Sequence, residues 1–257
     1  MIYLVVQGPK TQWTEGFIRR FLQKENVWVI FSSWRGSELS FEHDRLQAIY
    51  SEPLANNGPT NINAQISSSA TGLSFCPTNE VCIKIRSDMY IDVDEVVDFF
   101  KHINDGKHLR FADYSGPLGK ICVLGMYHSL FAHCRDHLFV GYTQDLQKLF
   151  DIPHTKDTRP YNEWEQIRAE TYIGSFYYAL FDNKVYEFIA NPELYLTDKS
   201  PKRQETLIIH NQLKDAVFQT MPRLKIEWPK HYPNGYPYEG TAKLYGEYWY
   251  DDYIAPR

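Results

Sequence analysis

The sequence predicts a single α/β domain built on a mixed, mainly parallel sheet with helices on its faces. Three observations carry that expectation. Short apolar runs alternate with amphipathic helical patterns along the first half, which is the signature of parallel strands joined by crossover helices. The runs are continuous rather than alternating, as strands buried on both faces require. At 257 residues, 43% of them hydrophobic and 23% charged, the chain is long enough and apolar enough for one continuous core.

Taken in order, Ile2-Tyr3-Leu4-Val5-Val6 reads as the first strand, stopped by a turn at Gly8-Pro9. It lacks a basic flank and is too short for a signal peptide. Residues 13–24 place Phe17, Phe21 and Leu22 on one face of a helix, and Val27 to Phe31 is a second strand ending in Ser32-Ser33. That makes one βαβ unit. The Asn-, Pro- and Gly-rich stretch from Pro53 to Asn63 is a loop. A helix over 64–74, capped by Asn63, would turn Ile66, Ala70 and Leu73 inward.

Val81 to Ile85 is a third strand. Asp92 and Glu95 stand in capping-box spacing before a helix whose Val96, Val97, Phe100 and Ile103 form a buried stripe. A strand follows over 120–126. Thr143 caps a short helix to Phe150, and Asn162 with Glu165 opens a longer one carrying Ile167, Tyr172, Ile173, Phe176 and Leu180. Residues 203–221 form a last helix before Pro222, and an aromatic segment without clean period begins at Trp228. The expected organisation is one domain over 1–257, with a nucleotide-binding half (1–126) and an acceptor-side half (127–257).

The composition excludes several classes. A formal charge of −5 leaves no basic footprint for nucleic acid. No apolar run approaches the ~18 residues of a membrane span. Cys76, Cys82, Cys122 and Cys134 lack paired spacing, so neither a zinc site nor a disulfide framework is indicated, and a reducing cytoplasm is the expected compartment. The sequence contains no Gly-x-Gly-x-x-Gly, no Gly-Lys-Ser/Thr phosphate loop, no His-Glu-x-x-His and no Gly-x-Ser-x-Gly.

In an open α/β sheet, ligands bind beyond the carboxyl ends of the strands. Three polar strand ends therefore hold the candidates: Gln7-Gly8-Pro9-Lys10-Thr11, Ser32-Ser33-Trp34-Arg35 and Arg86-Ser87-Asp88. Gly8 allows close backbone approach to a ligand. Asp88 can hold a divalent metal, manganese or magnesium, that neutralises a diphosphate; Arg86 can contact the same phosphates, or simply pair with Asp88 across the turn. Asn61, Asn63 and Gln65 form a dense amide cluster able to read a base or sugar. Asp92-Val93-Asp94 resembles a metal motif, but Asp92 is better used as a helix cap. For general-base work two carboxylates stand out, Asp136 between apolar runs and Glu170 on an apolar-striped helix. Nineteen Tyr, fifteen Phe and six Trp are an aromatic excess that suits core, lid or sugar-ring contacts.

These blocks, in order, resemble the WavE-type lipopolysaccharide-synthesis family. The resemblance rests on Gln7-Gly8-Pro9-x-Thr11, Phe31-Ser32-Ser33-Trp34, Asn61-x-Asn63-x-Gln65-x-x-Ser68-x-x-x-Gly72-Leu73 and Lys84-Ile85-Arg86-Ser87-Asp88. Asp136-His137-Leu138-Phe139-x-Gly141 and Ala169-Glu170-x-Tyr172-Ile173 extend it over roughly residues 1–180. It implies a GT-A-like bacterial glycosyltransferase that uses a nucleotide-sugar donor and a glycan or lipid-linked glycan acceptor. The enzyme would work peripherally at the cytoplasmic membrane face. Gln7, Gly8, Thr11, Ser33, Trp34 and the 61–65 amides would then receive the nucleotide. Asp88 would stand where such enzymes place their metal-binding carboxylate, although Ser87-Asp88-Met89 replaces the usual Asp-x-Asp. The alternative is a non-catalytic carbohydrate-binding or scaffold protein of polysaccharide assembly.

Overall fold

β1 (Ile2–Gln7) pairs in parallel with β2 (Val27–Trp34) on one side and with β4 (Val81–Arg86) on the other. The computed structural model describes residues 1–105, 119–124, 132–134, 136–158, 169–190, 203–221 and 226–227. Beyond β2 lies β3 (Leu46–Ser51), again parallel. Beyond β4 lie β7 (Leu138–Tyr142), β6 (Ile121–Val123) and β8 (Phe218–Thr220), giving the order β3-β2-β1-β4-β7-β6-β8. β7 runs antiparallel to both its neighbours, while β6 and β8 are parallel to each other. The expected mixed, mainly parallel sheet is therefore present, and one sheet takes strands from both halves of a single domain. A short pair, β5 (Tyr90–Ile91) with β9 (Ile226–Glu227), stands apart from it.

The strand period of two divides the core into two faces. Leu4, Val6, Val29, Phe31, Ile83 and Ile85 meet α1 (Thr14–Leu22) and α3 (Val93–Asn104) through Phe17, Ile18, Phe21, Val96, Val97 and Phe100. Val5, Ile30 and Cys82 point the other way. They meet α2 (Ile62–Leu73), α4 (Thr143–Phe150) and α5 (Ala169–Ala179) through Ile66, Leu73, Leu149, Phe150 and Ile173. α2 lies so close to the sheet that a Cβ on Gly72 would stand 2.5 Å from Val5 Cγ1. α6 (Val185–Ala190) and α7 (Arg203–Val217) complete the described helices.

Several sequence expectations are corrected. β2 continues through Ser32-Ser33 to Trp34 because β3 pairs with its end, and the sequence pattern alone assigns no element to β3 at all. α2 begins at Ile62 rather than 64. Its N-cap is Asn61 in the left-handed region, with no side-chain cap, so Asn63 is not the cap. Tyr142, not Thr143, precedes the first turn of α4. The last helix ends at Val217, and Phe218–Thr220 leaves it to pair with β6. Asp92 does cap α3, accepting from the Asp94 amide at 3.0 Å, and both aspartates also hold Lys24. The expected opening of the 162–180 helix and the aromatic segment from 228 lie outside the described residues.

Candidate functional site

The chain leaves β1 toward β2 and β3, then crosses back to place β4 on the opposite side of β1. At such a reversal the two flanking connections run to opposite faces of the sheet and leave a crevice at the strand ends. A cavity of about 660 Å³ opens there, walled by the loops after β1 and β4 and by the start of α2.

The loop after β1 is held from below. Ser87 donates its backbone N–H to Gln7 O at 2.8 Å and its hydroxyl to Pro9 O at 2.7 Å, and Thr14 Oγ1 donates to Ser87 O at 2.9 Å. Gly8 has φ of +118°, and a Cβ there would stand 3.1 Å from Ser87 Oγ, so glycine is required at this close approach. Gln7, 7% exposed, donates from Nε2 to Ser68 Oγ at 2.8 Å, which ties the strand end to α2. Thr11 lines the cavity just before α1, its amide donating to Thr14 Oγ1 at 2.8 Å.

The opposite wall is the start of α2. Thr60 and Asn61 are both left-handed, at φ 52° and 60°, a conformation costly for a β-branched residue. They turn the chain so that Asn61, Ala64 and Gln65 face the cavity. Gln65 Oε1 is shielded from solvent and accepts no hydrogen bond within the described protein. Asn63 faces away. Its amide donates to Thr155 O at 2.9 Å and accepts from Thr155 N–H at 2.8 Å, so it fastens the 155 segment instead. Of the β2 pair, Trp34 lines the cavity, whereas Ser33 is fully buried and does not. Trp13 adds a second indole that the strand-end rule does not single out.

Arg86 and Asp88 form the floor. Nε of Arg86 donates to one Asp88 carboxylate oxygen at 3.0 Å and Nη2 donates to the other at 2.7 Å. The two side chains are 25% and 14% exposed. Burial works against the guanidinium's charge, but Asp88 first, with Asp136 and Glu170 behind it, outweighs burial and keeps Arg86 protonated. The divalent ion that the sequence places on Asp88 does not suit this donor set. Both carboxylate oxygens already bond Arg86, and no group of three His, Cys, Asp or Glu converges among the described residues.

Beneath the floor lies a charge that no sequence motif marks. Lys84 is fully buried, its Nζ donating to Asp136 O at 2.6 Å between the Phe139 and Phe150 rings. The signal is present in the sequence: one lysine inside the apolar run Val81-Cys82-Ile83-Lys84-Ile85. Burial pushes its ammonium down to about 8, against the attraction of Asp136 and with the help of Arg86's repulsion. Asp136 itself is 4% exposed and lies outside the cavity lining. Burial would raise its carboxyl, but His137, Lys84 and Arg86 together hold it below the usual range. Glu170, half-buried on α5, also lies outside the lining; its carbonyl accepts from Cys134 Sγ at 3.5 Å. The structure therefore brings Gln7, Gly8, Thr11, Trp34, Asn61, Gln65, Arg86 and Asp88 together, and leaves Ser33, Asn63, Asp136 and Glu170 outside.

The Lys84 shift has a sign that can be measured. Between about 8 and the ordinary 10.5 the unfolded chain binds a proton that the folded chain does not, so wild-type stability rises with pH across that window. Relative to Lys84→Met, which lacks the group, the wild type should gain ~3 kcal/mol from the low to the high end of the window. Urea unfolding of both proteins at several pH values checks this; a pH-independent difference contradicts it.

No family model matches the chain, so the WavE-type resemblance gains no support from that comparison, and no curated protein matches it. Similar solved structures include the 2-C-methyl-D-erythritol 4-phosphate cytidylyltransferase of Francisella tularensis. It shows 11% identity and a TM-score of 0.36 over 58% of this chain and 76% of that one. Another is mouse xyloside xylosyltransferase 1 in its apo form, at 8% identity and a TM-score of 0.42 over 86% of each chain. At TM-scores below 0.5, neither likeness bears on the function of this chain. No described helix is long and apolar enough to cross a membrane.

Proposed function

We propose that this chain is a glycosyltransferase, moving a sugar from a nucleotide-sugar donor to a hydroxyl of a bacterial surface glycan such as lipopolysaccharide, O-antigen or capsule. One observation supports the reading above all others: the cavity at the β1/β4 reversal combines a fixed cation, paired amides and flat rings. In the transfer, an acceptor hydroxyl displaces the nucleoside diphosphate from the anomeric carbon. The departing diphosphate gains negative charge, and Arg86 supplies a preorganised countercharge. Trp13 or Trp34 offers a stacking face for the base, and Gln65 and Asn61 offer amide donors and acceptors for its edge. The glycan acceptor and the cytoplasmic membrane face follow from the family resemblance.

The same indoles favour a second reading, a non-catalytic carbohydrate-binding protein whose Trp13 and Trp34 stack on sugar rings. Calorimetry separates the two. Uridine, guanosine or cytidine diphosphate should bind with a Kd of ~1 mM or tighter, the affinity of a small anionic ligand with a few good contacts. Heat only from free oligosaccharides, with none from any nucleoside diphosphate, would leave the binding-protein reading.

For the general base we propose Glu170. Asp136 is sealed in and held charged by Lys84, Arg86 and the adjoining histidines, which weakens it as a proton acceptor, whereas Glu170 is half-exposed and close enough to the cavity floor for its charge to support that of Arg86. Glu170→Gln should lower transfer ~10²–10⁴-fold with donor affinity unchanged. Asp136→Asn should instead cost ~3–5 kcal/mol of stability, because Lys84 loses its buried counter-charge. A natively stable but inactive Asp136→Asn beside an active Glu170→Gln would reverse the assignment.

A further inference from the structure

The Arg86–Asp88 pair bears on how the proposed site handles its ligand's charge. A diphosphate entering a partly buried cavity must meet positive charge, and either a divalent ion or a side chain can provide it. Asp88 is the only carboxylate among the described residues lining the cavity. Its two oxygens accept a parallel pair of hydrogen bonds from Arg86, at 3.0 and 2.7 Å, which is the strongest geometry available to this pair of residue types. An ion at Asp88 would have to displace that fork, and would then sit against the guanidinium it had released. It would do so with one carboxylate in place of the several hard oxygen ligands such ions take.

The positive charge beneath the cavity is, moreover, already doubled. Lys84 lies two residues before Arg86 on β4, fully buried, and the two cations repel. Asp88 and Asp136 offset them. Diverting Asp88 to an ion would leave Arg86 less compensated in a partly buried position and add two further positive charges beside it.

We infer that Arg86, not a divalent metal, neutralises the diphosphate, and that Asp88 is a positioning residue that aims the guanidinium at the cavity. This rests on the nucleotide-sugar reading above. Donor binding is then independent of divalent ions. The guanidinium also distinguishes the class of ligand, because a planar fork recognises phosphoryl oxygens more specifically than an ammonium does.

The test is calorimetry of uridine, guanosine and cytidine diphosphate on the whole chain, in excess EDTA and again in manganese chloride. The Kd of the best ligand should agree within about threefold between the two buffers. Arg86→Gln should weaken binding ~10–100-fold in both, as loss of charged hydrogen bonds does, with Arg86→Lys between it and the wild type. Asp88→Asn should weaken binding by the same factor in both buffers, with recovery in Asp88→Glu. A merely structural Asp88 would lower the melting temperature without changing the Kd of the folded protein. Binding seen only with manganese overturns the inference while leaving the nucleotide-sugar reading intact. Loss of a manganese enhancement in Asp88→Asn, with EDTA binding unchanged, likewise makes Asp88 a metal ligand and overturns it. Absence of binding in either buffer overturns the nucleotide-sugar reading and this inference with it. If Asp88→Asn does not fold, the two-buffer comparison on the wild type decides alone.

Discussion

Everything about the site depends on β1 having parallel partners on both edges. Because β2 and β4 each pair with β1 residue for residue, from Ile2 to Gln7, β1 and β4 finish level at their carboxyl ends, and β2 runs two residues further to Trp34. The connection after β1 runs to α1 on one face, and α2 packs on the other. A crevice between helices on opposite faces is the geometric result, and no side chain has to be placed specially to create it. What the sequence then adds is closure of the floor: Ser87 bonds Gln7 O and Pro9 O, and Gly8 supplies the backbone angle that brings the two loops together.

Electrostatics under that floor are arranged as an alternating stack. Lys84 faces the α2 side of the sheet within the apolar run from Val81 to Ile85, anchored to the carbonyl of Asp136. Arg86, two residues on, faces the same way and reaches the cavity, where Asp88 grips it. A buried ammonium beside a part-buried guanidinium is destabilising in isolation; the Asp136 and Asp88 carboxylates make it tolerable. The arrangement concentrates fixed positive charge where an anionic ligand would arrive, without flexible side chains that must be ordered on binding.

Much of this is legible in the sequence, for definite reasons. β1, β2 and β4 are covered on both faces, so their residues form unbroken apolar runs, and α1 and α3 carry clear helical stripes. The strand-end rule picks out Gln7, Gly8, Arg86 and Asp88, which the fold brings to one cavity. β3 is not legible because Leu46-Gln47-Ala48-Ile49-Tyr50-Ser51 is an edge strand, half-exposed throughout most of its length and without a continuous run. β8 is hidden because Phe218–Thr220 follows α7 without a break, and only pairing with β6, far away in sequence, makes it a strand. Asn63 shows the limit of local reading most clearly. Its amide could cap, read a base, or hold a loop, and Thr155, 92 residues later, determines which. Asp136 is similar: flanking apolar residues suggest a cleft carboxylate, while the tertiary structure seals it beside Lys84 and His137.

The crevice at the β1/β4 reversal is the ligand site proposed for this chain. Hydrogen–deuterium exchange with and without a saturating nucleoside diphosphate addresses it without presuming any activity, since amides held by a ligand exchange more slowly. Binding in the crevice should add protection in three segments alone, the loop after β1, the turn into α2 and the loop after β4, with the rest of the sheet unchanged. Protection that spares all three segments and falls elsewhere on the chain would contradict it.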